Sequence, residues 1–140
     1  MADRHYERIA MGLGELHKKM TRMQSRMLEE YHISLMEYHI LNLLWRSQDR
    51  NQNELAAALN VDKALISRQI RGMEEKGLLA VEQDPDCRRQ KTLKLSESAV
   101  ALLPELEEIH RRGMEQLFAD FGEEQLQIFE TVLEGLVGKV

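Results

Sequence analysis

The residues best placed to do chemistry lie between Asn51 and Ser96, and none of them suits bond making. Over 63–71 the chain reads KALISRQIR, with three basic residues and no acid. On a helix of 3.6 residues per turn, Lys63, Ala64, Ser67, Arg68 and Arg71 share one face, and Ile66, Ile70 and Met73 follow i, i+4, i+7 spacing on the other. Further on, DPDCRR (84–89) joins an Asp-Pro turn signal to Arg88 and Arg89. Cationic groups gathered on one surface bind phosphate oxygens. An arginine on a projecting tip is drawn to the negative potential of a narrow, A·T-rich minor groove. The alternatives are a solvated helix face and a solvated hairpin tip; the turn and hairpin that flank the helix favour contact with duplex DNA.

Catalysis has little to stand on. There is no Gly-rich phosphate loop and no His-Glu-x-x-His, and the one cysteine, Cys87, falls on the hairpin tip and not in a pocket. The carboxylates form no cluster that spacing marks as catalytic. The expectation is a protein that is not an enzyme and carries no cofactor.

The elements that must position the basic face follow from caps and periodicity. Ser34 with Glu37 makes a capping box, with Ile33 and Tyr38 placed as a hydrophobic staple. This predicts a helix from about 34 to Ser47 that buries Tyr38, Leu41, Leu44 and Trp45. Asn51 and Glu54 repeat the cap spacing and open a short helix with Leu55, Ala56 and Leu59 inward. LNVD (59–62) is a tight turn, Asp62 caps the helix that carries the basic face, and Gly77 closes it. LAVEQ (79–83) and KTLKL (91–95) alternate as strands of a hairpin, with Leu79, Val81, Leu93 and Leu95 inward.

Helices flank this unit. Residues 3–30 lack proline and place Ile9, Leu13, Leu16, Met20, Met23 and Met27 at alternating four and three spacing. Such a seam packs along another helix, either in the same chain or in a partner subunit. Ser96 caps a further helix that Pro104 is expected to kink or restart, because proline removes an amide donor. Beyond Gly122 a last amphipathic helix carries Leu126, Phe129, Leu133, Leu136 and Val140. The fold class is therefore mainly α with a small β-hairpin wing. One domain over 1–140 is expected, with helical dimerisation segments at 1–33 and 97–140 around a winged helix-turn-helix lobe at 34–96.

A net charge of -5 is unfavourable for binding phosphates until its distribution is read. Residues 61–95 carry +2 and residues 96–140 carry -7. A local basic surface on an acidic body is compatible with DNA binding and suppresses indiscriminate adhesion. No apolar run approaches the roughly 20 residues of a membrane helix, and the polar N-terminus has no signal-like segment. With a single cysteine in addition, a cytoplasmic protein without membrane contact is expected.

The stretches ISLMEYHILNLL (33–44), NELAAALNVDKALISRQI (53–70), EEKGLLAVEQDPDCRR (74–89) and KLSESA (94–99) together resemble the MarR family of transcriptional regulators. The resemblance implies a homodimer with interleaved terminal helices. Each copy would place a recognition helix in the major groove and a wing in the minor groove of a pseudo-palindromic operator. It further implies a repressor released by a small-molecule effector. Ser67 and Arg68 would then contact bases or phosphates, Lys63 and Arg71 mainly phosphates, and Arg89 the minor groove. Effectors of such folds sit where the long helices meet the DNA-binding lobe, which points to His5, Tyr6, His17, Tyr38 and Trp45. The chain departs from the family pattern in three places. Cys87 stands where the wing has an aspartate, Arg71 stands where the recognition helix has an acid, and Ser96 and Ala99 replace a threonine and a glycine.

Other readings use the same fold. His39, Glu105 and His110 fall near positions that zinc-responsive relatives use, and His17 and His32 could join them, giving a metal-responsive regulator. Cys87 beside Arg88 and Arg89 could be a redox switch, since neighbouring cations favour the thiolate. A winged-helix adaptor that binds protein instead of DNA is the remaining alternative.

Overall fold

The starts of the four central α-helices are set by side-chain caps. Ser34, Asn51, Asp62 and Ser96 each accept the backbone N–H of the residue three positions on, at 3.1, 2.8, 2.8 and 3.1 Å. The computed structural model describes residues 2–47, 50–83, 86 and 91–139, excluding the side chains of residues 2 and 3. The order is α1 (Ala2–Leu28), a 3-10 turn (Glu29–Tyr31), α2 (Leu35–Arg46), α3 (Gln52–Leu59), α4 (Lys63–Glu75), β1 (Leu79–Gln83), β2 (Lys91–Leu95), α5 (Glu97–Leu117) and α6 (Glu123–Lys139). The mainly α architecture with a hairpin wing is as the sequence predicts.

The capping box at Ser34 is complete, because Glu37 Oε1 also accepts the Ser34 N–H at 2.8 Å. Ile33 and Tyr38, the staple pair, are both buried. The α3–α4 turn is made by Asn60 in the left-handed region, φ 54°, while the Val61 N–H donates back to Ala56 O. Asparagine tolerates that conformation better than most residues. After α4, Gly77 at φ 75° lets the Leu78 N–H reach Met73 O at 3.0 Å. The hairpin is antiparallel, with Leu79 opposite Leu95 and Val81 opposite Leu93. The four residues read as inward therefore meet as cross-strand pairs.

Ile40, Leu41 and Leu44 of α2, Leu55 of α3, Ile66, Ile70 and Met73 of α4, Leu93 of β2, and Leu103 and Leu106 of α5 form the fully buried core. Two expectations need correction. Trp45 is 45% exposed, not buried, because it falls one residue past Leu44 and the inward stripe turns away from it. Pro104 does not restart α5, which runs unbroken from Glu97 to Leu117. Pro104 lies on the exposed side of α5, between buried Leu103 and Leu106, where the carbonyl left without its donor can be solvated.

The α1 seam divides in two. Its C-terminal half packs within the chain: Leu28 is in the core, and Met27 lies over buried Gly113 of α5, where an added Cβ would come within 2.8 Å of the Met27 sulfur. Its N-terminal half is open, with Ile9 and Leu13 exposed. It shares an apolar groove with Met114 of α5, Phe118 just past the end of α5, and Leu126, Phe129 and Leu133 of α6. Among the described residues no helix is long and apolar enough to cross a membrane.

Candidate nucleic-acid interface

The basic face is built by α4 and framed by the wing. Asp62 fixes the start of the helix, and Ile66, Ile70 and Met73 clamp it to the core. Lys63, Ala64, Arg68 and Arg71 are consequently exposed, with Ser67 half-buried between them. Ser67, Arg71 and Glu74 line an open depression with Gln52 of α3, Val81 and Gln83 of β1 and Lys91 of β2. Lys91, at the tip end of the hairpin, thus adds a cation to the α4 surface, which sequence reading did not include. Its place at the start of the strand that follows the two arginines was the signal available. Arg88, Arg89 and Cys87, together with Asp84, lie outside the described residues.

The last turn of α4 holds the surface in place through two polar contacts that spacing did not reveal. Glu74 Oε2 accepts the Val81 N–H at 3.3 Å and so joins the helix to β1. Lys76 Nζ donates to both oxygens of the Glu37 carboxylate, at 2.8 and 3.0 Å, and to His32 O at 2.7 Å. Glu37 is only 4% exposed, so this ion pair supplies the partner that a buried carboxylate requires.

The remaining basic residues of α5 do not extend this face. Arg111 and Arg112 are paired along their own helix, Arg111 with Glu108 and Glu115, and Arg112 with Glu108. The hydrogen bond from Arg111 holds the Glu108 carboxyl down at about 2, with the Arg112 hydrogen bond and both positive charges adding to it.

The residues named for an effector do not converge. Tyr6 is 68% exposed near the start of α1. His17 lies on the open apolar groove, Trp45 at the exposed end of α2, and Tyr38 in the core. Tyr38 sits between His39 and His110, with ring centroids 5.9 Å away in each case. His110 Nε2 is hydrogen-bonded to Gln24 Nε2 at 2.9 Å, which joins α1 to α5. Burial lowers the His39 pKa, and the nearby His110 lowers it further. Glu105 is exposed on α5, and among the described residues no three His, Cys, Asp or Glu side chains gather as a ligand set would require.

Comparison with known proteins places this arrangement. Residues 33–91 match the model of the MarR family. The crystal structure of MarR superposes with a TM-score of 0.84 at 26% identity, covering 94% of this chain and 96% of that one. Over residues 33–91 the chain is similar to the MarR family. The uncharacterized HTH-type transcriptional regulator YdgJ of Bacillus subtilis (strain 168) is 23% identical over 101 residues, 72% of this chain. That alignment spans 62% of the length of YdgJ. The fold is shared also with the S. aureus MepR–DNA complex, at a TM-score of 0.83 and 21% identity, covering 94% of this chain and 97% of that one. The stretch that matches the MarR family runs from the end of the α1–α2 turn to the start of β2, and so contains the whole of α4 with its basic face.

Proposed function

We propose that the chain is a sequence-specific, DNA-binding transcriptional regulator acting in the cytoplasm as a homodimer, and that it represses until a small-molecule effector releases it. The observation that carries this reading is the α4 surface: Lys63, Ser67, Arg68 and Arg71 face outward from a helix clamped by Ile66, Ile70 and Met73, beside Lys91 of the wing. α4 would enter the major groove, with Ser67 and Arg68 at base edges or phosphates and Lys63, Arg71 and Lys91 at phosphates. Ala64 is small enough to allow the helix close approach. Arg88 and Arg89 belong to the same reading as minor-groove contacts, and their place in the sequence between the two strands is its support. MepR, whose fold is alike, is solved as a complex with DNA.

The dimer reading is supported by the exposed apolar side chains of α1 and α6, Ile9, Leu13, Val132, Leu136 and Val137 among them. An apolar stripe of that extent calls for cover. Residues 1–33 and 97–140 would form the support, and 34–96 the DNA-reading lobe. The effector is proposed to act near the junction of α1, α2 and α5, where Tyr38 and His110 meet.

Selection of bound fragments from random duplex DNA tests the proposal. A two-fold symmetric motif is expected, since a symmetric dimer reads symmetric half-sites. No enrichment would refute DNA recognition and favour a protein-binding adaptor.

A further inference from the structure

The ion pair at the end of α4 satisfies the buried Glu37 carboxylate and also links separate segments of the fold. Lys76 is the C-terminal cap of α4, yet its ammonium reaches back to the junction between the two long-helix segments and the reading lobe. There it meets His32 O, in a residue held in the left-handed region at φ 56°, and the Glu37 carboxylate that caps α2. One side chain thus joins the end of α4, the exit of the α1 segment and the start of α2. The other end of α4, at Lys63, is exposed.

We propose that Lys76 is a positioning residue. By tying the last turn of α4 to the α1–α2 junction, it sets the angle at which the basic face is presented and, in a dimer, the separation of the half-sites that are read. The second part rests on the DNA-binding reading above. The lever is long enough to matter. At 1.5 Å per residue, about 20 Å of helix separates Lys63 from Lys76. A rotation of about 10° about the pinned end therefore moves Lys63 by roughly 3.5 Å, close to the rise of about 3.4 Å per base along one strand. A slack clamp converts a fixed half-site spacing into a range of them.

Lys76→Met alone leaves a buried carboxylate without its counter-charge and can fail to fold. The informative variant is Glu37→Gln with Lys76→Met. Glutamine still accepts the Ser34 N–H in a capping box, so α2 keeps its cap while the clamp is lost. Two measurements decide the matter. The first is the distance distribution between spin labels at Arg22 of α1 and Arg68 of α4, introduced on a Cys87→Ser background and diluted with unlabelled chain; it needs no DNA. The second is the affinity for duplexes that the wild type selects from a random library, with the half-sites then moved one base pair closer or further apart.

The wild type should give one narrow distance and lose affinity about tenfold on a re-spaced duplex. The double variant should give a broadened distance and lose only about twofold, with the half-site sequence it prefers unchanged. Lys76→Arg keeps the charge and the donors and should behave as wild type. A double variant that matches the wild type in both measurements overturns the proposal. If the wild type selects no duplex, the DNA-binding reading falls, and the distance distribution alone decides whether Lys76 holds α4.

Discussion

Arg71 is the sharpest place to test whether the α4 face meets DNA through phosphates. It is exposed on α4 between buried Ile70 and half-buried Gly72, so Arg71→Ala leaves the core untouched and should change stability by less than about 0.5 kcal/mol. Its effect on binding follows from counterion release, in which each neutralised phosphate contributes about -0.9 to the slope of log K against log salt. A dimer presents Arg71 twice, so the substitution should flatten that slope by about 1.8. Between about 50 and 200 mM salt, a fourfold change, the gap between wild type and variant should then close by roughly tenfold. Fluorescence anisotropy with a labelled duplex from the selection experiment, titrated at several salt concentrations, reads this directly. Equal slopes for the two proteins would show that Arg71 meets no phosphate, whatever the change in affinity at one salt. The result also bears on the family pattern, because Arg71 replaces an acid there: a flattened slope would mean that this chain has gained a phosphate contact by that replacement.

Three further outcomes are expected. Leu136→Glu places a charge in the exposed apolar stripe of α6, 44% exposed and outside the core, and should convert dimer to monomer in sedimentation without loss of helix signal; a variant still dimeric at micromolar concentration would move the interface elsewhere. Because the folded-state pKa of His39 lies below its ordinary value of 6.5, the unfolded chain binds protons first. The stability His39 contributes is therefore complete above about pH 6.5 and is lost as pH falls through the lowered value. Thermal melts should fall between about pH 7.5 and 5.5, and fall less in His39→Gln; parallel curves for the two would refute this. Asp62→Ala removes the acceptor of the Leu65 N–H at the start of α4 and should cost about 1 kcal/mol in denaturant unfolding, with an unchanged midpoint counting against the cap.

What was legible in the sequence is what short-range chemistry determines. A cap and its amide lie three residues apart, so Ser34, Asn51, Asp62 and Ser96 announce four helices before any fold is known, and each does accept its expected amide. Period-two alternation likewise placed Leu79, Val81, Leu93 and Leu95 on one side of the wing. What stayed hidden depends on how far a stripe of contacts extends or on pairs distant in sequence. Trp45 follows the α2 stripe in hydropathy yet lies beyond the packed surface, so type alone misplaces it. The α1 seam reads as uniform, but only the part beneath α5 finds a partner in the chain, because the helix outruns the domain it packs on. Glu37 signalled its cap three residues away and not its ion pair with Lys76, 39 positions on. These hidden contacts share a location, the junction between the long helices and the reading lobe, where Gln24 meets His110 and Lys76 meets His32. Local signals therefore suffice to say that α4 carries a basic face. The angle at which that face is offered is held by side chains that only the folded chain brings together.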